Sequence, residues 1–514
     1  MSTAGATIVV TLDIGGSAAK ASGYDVARQV SLGSTATPYL ARSAGQDPGM
    51  FDPDGWWLAA VGALRDLRQL IDEPAGRFLG ITVSAIRIPF VLLGGDGDAV
   101  MPGLLNRDTR AAAQAAEIAS VIGGDELYRI TGHWPAPQFG LPKVLWVREN
   151  HPDRWRATRT VLQLHDWFVY RLSGVLASER SSAAMSQLTD AQEGGWAAGL
   201  LAELAIPAAL LPELRLAGTL AGGLLPGVAG ATGFAAGTPV HIGGGDTHMS
   251  ALSAQRLSPG PGENRPVIVA GTTAPAMLAA PAGRLPRSLG DLFPLLVSAH
   301  VVPGVSALET NAGPTGMIVG LLADLRDSPG DGLRPELEQR GLTVTPADQP
   351  GEPVVLAGNP FFGPAGWSFT PPPTVVGLRD RHSGAAVYRA SLLGTCYAIR
   401  SVLDCLTERS GVRPGSVVAT GGMSRNAGWT QMLADVTGAE VLVPPLGLIT
   451  GRAGAAIVAG VAATPDADVA GVPTFTPDPD LAATHSAGLA RYRELYQAAQ
   501  FSNQPRLVTR AGTR

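Results

Sequence analysis

Two hydrophobic periods alternate along the chain. Short apolar runs bounded by glycine read as buried strands: Ala6 to Asp13, Phe78 to Ser84, Val240 to Gly243, Val267 to Val269 and Val417 to Thr420. Longer stretches repeat their apolar positions at helical spacing. These are Asp54 to Ile71, opened by Asp54 and carrying Trp56 and Trp57, then Arg110 to Ile122, Pro142 to Asn150, Asp166 to Leu172, Gly384 to Arg409, Gly428 to Thr437 and Leu481 to Ala499. Ala18 to Tyr24 reads as the partner of the first strand, and Phe90 to Leu93 as one arm of a hairpin with Ala99 to Leu105. Leu216 to Gly237 reads as loop and short strand. Pro259 to Pro266 and Phe361 to Pro373 read as surface loops, and Pro465 to Pro479 as a linker. Strands alternating with helices predict an α/β class. A length of 514 residues predicts two domains, 1–253 and 254–514.

A tight glycine turn leaves an apolar strand twice, in Asp13-Ile14-Gly15-Gly16-Ser17-Ala18-Ala19-Lys20 and in Ala270-Gly271-Thr272-Thr273. Such turns let backbone N–H groups and a hydroxyl close around a phosphate with no side chain in the way. Ile242-Gly243-Gly244-Gly245-Asp246 stands just before the second copy, and Gly421-Gly422-Met423-Ser424-Arg425-Asn426 joins a strand to a helix as nucleotide sites do. One turn in each half predicts a cleft that grips a polyphosphate from both sides, with Asp246 between. Each element also has a plainer reading. Asp246 fits an Asx turn, Asp108 and Arg110 fit an ion pair at a helix start, and His241 and His248 match no metal motif.

Composition narrows the classes. A net charge of -5 leaves no basic footprint for nucleic acid, and no stretch is long and apolar enough to span a bilayer. The N-terminus lacks a signal-peptide pattern, so a cytoplasmic address is expected. Cys396 and Cys405 fall on opposite faces of one helix and are expected to stay unpaired. Only Lys20 and Lys143 among 38 basic residues are lysine, and Lys20 is placed where a compact ammonium suits a phosphate. Walker A, His-Glu-x-x-His and Gly-x-Ser-x-Gly patterns are absent.

The Asp13 to Lys20 turn, Asn106 to Arg110, Phe139 to Trp146, Asp166 to Gly174, Gly243 to Asp246, Gly271 to Thr273 and Gly421-Gly422 occur in one order and spacing. In that combination the chain resembles the FGGY carbohydrate kinases, xylulokinases among them. The resemblance implies two actin-like, ribonuclease-H-like domains around an ATP cleft. It implies Asp246 as the base, and Asp13, Gly15, Gly16, Ser17, Lys20, Gly271, Thr272, Thr273, Gly421, Gly422 and Asn426 around the nucleotide. Asn106, Asp108, Arg110 and Asp246 would meet the substrate, and Asp13 and Asp246 would hold Mg²⁺. The expected partner is a small sugar or polyol, with neither nucleic acid nor membrane, and a homodimer is compatible with the family.

Four positions depart from the xylulokinase pattern: Gly16 replaces a Thr, Ala85-Ile86-Arg87-Ile88-Pro89 replaces Gly-Gln-Met-His-Gly, Asn106 replaces a Trp, and Leu393 replaces a Glu. The second and third lie around the sugar. Three functions stay open: a kinase of a ketose such as xylulose; a kinase of another ketose, an alditol or an autoinducer-type dihydroxy ketone; and a nucleotide-dependent regulatory protein without turnover.

Overall fold

Antiparallel pairing opens the chain. Strand β1 (Ile8–Ile14) turns back into β2 (Ala18–Asp25), which pairs with β3 (Val30–Pro38). The turn closes because Gly15 N–H donates to the Ala18 carbonyl at 3.1 Å. All of β1 is buried, including Thr11 and Asp13, as a central strand covered on both faces requires. Strand β4 (Phe78–Ala85) lies parallel to β1, while β5 (Leu220–Gly223) pairs antiparallel with β6 (Pro239–Gly245). The sheet order is β5-β6-β4-β1-β2-β3, with β6 also parallel to β4. The computed structural model describes residues 5–39, 47–254, 265–271, 273–282, 295–324, 351–357, 373–412, 414–460 and 471–502.

A second sheet repeats that neighbourhood. It is built from β7 (Val267–Val269), β8 (Pro275–Pro281), β9 (Leu296–Ala299), β10 (Val305–Asn311), β11 (Ser416–Thr420), β12 (Glu440–Leu442) and β13 (Thr474–Phe475). Its order is β9-β10-β8-β7-β11-β12-β13. As β1 has an antiparallel β2 on one side and a parallel β4 on the other, β7 has an antiparallel β8 and a parallel β11. Both central strands therefore end on a glycine turn.

Helices cover the sheets and tie them together. Helix α1 (Pro53–Leu70) buries Trp56, Ala60, Ala63, Leu64 and Leu67 with Ile8, Val10 and Leu12 in one core. Helix α2 (Asp246–Ala254) leaves β6 directly, and the long α3 (Gly384–Ser410) packs with Trp429 and Leu433 of α4 (Ala427–Thr437) in the second core. Helix α5 (Leu446–Val458) follows the second sheet's strand β12 in sequence yet lies on the first sheet. Gly447, Gly451 and Gly454 form the approaching face. A Cβ at Gly454 would stand 1.8 Å from Thr11 Oγ1.

The structure corrects several boundaries. Asp52, not Asp54, caps α1: its carboxylate accepts from the N–H groups of Asp54 and Gly55, with Pro53 at the first helical position. The stretch read as loop and short strand contains a helix, Pro226–Thr232, which starts on a proline and ends at Gly233 with φ +81°. Its Gly-Ala composition hides the period. The second hairpin is reduced to a Leu93–Ala99 bridge and a Phe90–Leu104 pair. Most of the two proline-rich loops, the start of the linker and Thr272 lie outside the described residues. Cys396 and Cys405 are not joined in a disulfide.

Candidate active site

Three parallel strands end side by side, Ile14 opposite Ala85 and Ala85 opposite Gly245, so the residues leaving the three strands share one edge of the sheet. Asp13 is the penultimate residue of β1, with Oδ1 accepting from Ser84 Oγ at 3.0 Å and Oδ2 3.3 Å from Lys20 Nζ. Asp246 begins α2. Its Oδ1 accepts from Thr247 N–H at 2.7 Å and Thr247 Oγ1 at 3.2 Å and lies 3.6 Å from Arg87 Nε. Those contacts all fall on Oδ1, and Oδ2 makes none among the described residues. A third of the side chain is exposed. Burial raises the Asp246 pKa above the ordinary carboxylate value, Arg87 opposes that, and the charge on Asp13 adds to it.

Arg87 is the residue whose importance the sequence did not disclose. It lies beyond β4, and its stem passes where a Cβ on Gly245 would stand, 2.6 Å from Arg87 Cγ. Its two Nη groups fork onto Glu309 of β10, with Nη2 to Oε1 at 2.7 Å and Nη1 on Oε2. Both side chains are almost wholly buried. Neutral imidazoles stand near them: burial, joined by the charge on Arg87, pushes His133 down to about 4 and His248 well below the usual range. His133 Nε2 and Arg87 Nη1 share Met185 Sδ, at 3.4 Å and 3.7 Å. Gln138, one residue before the Phe139 ring that packs edge-on against His133, is fully buried with neither amide atom hydrogen-bonded. Glu309 is the one charged residue of its strand, Val305–Asn311, and that was the available signal for it. His241 bonds the Gly218 carbonyl and His248 bonds Ser298 Oγ, as ordinary structural histidines do.

The opposite jaw presents backbone. Gly271 N–H donates to the Thr273 carbonyl at 3.0 Å, closing the second glycine turn. Gly421, at φ +96°, lies beside it, because β7 and β11 are parallel neighbours and Met423 N–H bonds the Ala270 carbonyl. Any side chain at Gly421 would meet that carbonyl at 2.5 Å. Gly422 comes next on the open side, with nothing within 4 Å of a Cβ. Gly16 is equally open, and Ser17 accepts from Tyr39 N–H through its carbonyl. The side chain of Asn426 caps α4 by accepting from Trp429 N–H.

Asp108 and Arg110 form a separate group. Arg110 Nε contacts both Asp108 oxygens at 2.8 Å and 2.6 Å, its Nη2 reaches Asp47 at 2.6 Å, and its guanidinium lies over the Trp146 ring. Asp108 is buried and Asn106 half-buried beside it. The plain ion-pair reading thus describes the pair's contacts, although it is not exposed. Lys143 is fully buried and donates to the Leu105 carbonyl at 2.5 Å. Burial pulls its pKa down to about 7.

The two glycine turns and the carboxylate at the end of β6 are the parts a phosphotransferase needs. Residues 8–253 match the N-terminal domain of the FGGY family of carbohydrate kinases, and residues 267–463 match its C-terminal domain. The chain belongs to the FGGY carbohydrate kinases. An autoinducer-2 kinase of Klebsiella pneumoniae subsp. pneumoniae is 27% identical over 514 residues, covering 95% of this chain and 91% of the relative. One from Salmonella typhimurium is 26% identical over 471 residues, covering 88% and 86%. The crystal structure of a xylulose kinase from Rhodospirillum rubrum superposes with a TM-score of 0.80 at 25% identity, covering 96% and 98% of the two chains. As an FGGY kinase the protein has the two-domain actin-like α/β fold and catalyses ATP-dependent phosphorylation of a small carbohydrate. Among the described residues, no helix is long and apolar enough to cross a membrane.

Proposed function

We propose that this FGGY kinase phosphorylates an uncharged ketose or dihydroxy ketone, with Asp246 as the base. The observation that carries the reading is the Asp246 carboxylate, one-third exposed, whose Oδ1 is held by Thr247 and Arg87 while Oδ2 has no hydrogen bond among the described residues. A carboxylate of raised pKa is a stronger base toward a hydroxyl than an ordinary aspartate, and positioning is most of what phosphoryl transfer asks of a protein. Xylulose is one candidate acceptor. Arg87 in place of the xylulokinase segment, and relatives named autoinducer-2 kinases, favour an autoinducer-type dihydroxy ketone over it.

In this reading Gly15, Gly16, Ser17 and Lys20 meet the phosphate chain from one side and Gly271, Thr272 and Thr273 from the other. Gly421 and Gly422 leave room for the nucleoside, with Asn426 positioned as the helix cap behind them. Asp13 and Asp246 suit Mg²⁺: they are hard oxygen donors close enough for the charge of one to raise the pKa of the other, a repulsion that a dication relieves. The ion would supply charge neutralisation on the transferring phosphate. Asn106, Asp108 and Arg110, which the family resemblance assigns to the substrate, would meet its hydroxyls, Arg110 holding Asp108 until one competes for it.

Coupled ATP consumption with xylulose, a series of alditols and an autoinducer-type dihydroxy ketone tests the assignment. The ketones should be turned over, and Asp246→Asn should lower kcat by about 10² to 10⁴ while both ligands still bind. Half of the wild-type kcat remaining in that variant would refute the base assignment. ATP consumption indifferent to every acceptor would point to the regulatory alternative.

A further inference from the structure

Arg87 poses a problem of charge. A buried guanidinium beside the base is by itself a recogniser of carboxylates, since its fork matches their two oxygens. Left free, it would select sugar acids. Glu309 reaches it from β10, on the other sheet, and occupies both Nη groups, while Nε faces Asp246 at 3.6 Å and Nη1 also touches Met185. One guanidinium then stands between two carboxylates. An acceptor carboxylate entering beside Asp246 would find both Nη groups already taken by Glu309 and no free fork.

We infer that Glu309 is a specificity-determining residue: by taking up Arg87 across the cleft, it restricts the acceptor site to uncharged polyols and ketoses. The inference rests on the reading that the acceptor lies beside Asp246. The geometry has two consequences. The acceptor site is composite, because the segment after β4 supplies the guanidinium and β10 of the second sheet supplies its counter-charge. Removing the charge of Glu309 at nearly constant shape should convert Arg87 into the carboxylate recogniser it otherwise resembles.

The test uses acceptor analogues matched in carbon skeleton and differing in charge: xylitol against xylonate, and glucitol against gluconate. Their dissociation constants are measured by calorimetry with the wild type, Glu309→Gln and the double variant Arg87→Met/Glu309→Gln. The wild type should prefer each alditol over its aldonate by at least about tenfold, and Glu309→Gln should shift that ratio toward the aldonate by about tenfold or more. The double variant, which leaves no buried unpaired charge, should return the ratio toward the wild-type value. Equal binding of the matched pair by the wild type, an unmoved ratio in Glu309→Gln, or an aldonate gain that survives loss of the guanidinium would each overturn the inference. Should Glu309→Gln not fold, the wild-type and double-variant ratios decide it. Asp246→Asn, run in parallel, separates this from the catalytic assignment: retained turnover there removes the base and leaves the matched-pair ratios standing.

Discussion

Gln138 and Lys143 are polar side chains with no exposed surface, and each stores a measurable free energy. An amide with neither atom bonded destabilises a fold by about 1–3 kcal/mol unless a ligand or water completes it. Gln138→Leu should therefore raise stability in urea by that order and weaken acceptor binding, because Gln138 adjoins the group around Arg87. Unchanged stability would mean that water already satisfies the amide. Lys143 makes a prediction with pH. In the folded protein it gives up its proton near pH 7, whereas the unfolded side chain keeps it to about pH 10.4. Between those values the unfolded chain binds the additional proton, so this residue makes stability rise with pH. Lys143→Met removes the effect. Its stability advantage should be largest at and below pH 7 and shrink by up to ~1.4 kcal/mol per pH unit above it, as read from urea midpoints. A constant difference from pH 6 to 9 would show an ammonium that stays hydrated. At this scale the glycine turns that carry Asp13 and Lys20 and the strand end that carries Asp246 were readable, since turn chemistry is local. Arg87 was visible only as a departure from a pattern, because its partner lies 222 positions away.

Elements divide by how local their causes are. Strands β1, β4, β7 and β11 were legible as apolar runs, and α3 and α4 by their period, because each is buried along its length. The start of α1 was misplaced by two residues since Asp52 and Asp54 both look like caps, and only the hydrogen bonds distinguish them. Asp52→Ala should cost about 0.5–2 kcal/mol, with Asp54→Ala nearly neutral by comparison. Equal effects would mean the cap is shared. Helix α5 shows what periodicity does not carry. Its glycines read as helix weakeners, yet they let it approach β1 and β2 of the other sheet. Gly454→Ala forces a methyl into Thr11 and should destabilise by about 1–3 kcal/mol, despite the better helix propensity of Ala. A thermal melt distinguishes the two signs.

For the whole molecule, the prediction concerns coupling between the jaws. Glycine turns on both sheets can grip one phosphate chain fully only when they approach, and approach also excludes water from the transfer. Acceptor binding should therefore compact the protein and raise its affinity for ATP, with ATP raising acceptor affinity by the same factor. Small-angle scattering and calorimetry with each ligand alone and together read both effects. An unchanged radius of gyration with independent binding would rule the closure out. The Arg87 to Glu309 fork and the Val297 N–H to Gly132 carbonyl bond, at 3.1 Å, already span the two halves.

The chain by itself determined the α/β class and the repeated strand-and-glycine-turn plan, because each depends on neighbours a few positions apart, and the order of its motifs carried the family resemblance and with it the activity class. What neutralises Arg87, which helix joins the sheets and that Asp47 completes the Asp108–Arg110 pair were decided only in three dimensions. Those are contacts between segments far apart in sequence, and no spacing along one segment encodes what another will place against it.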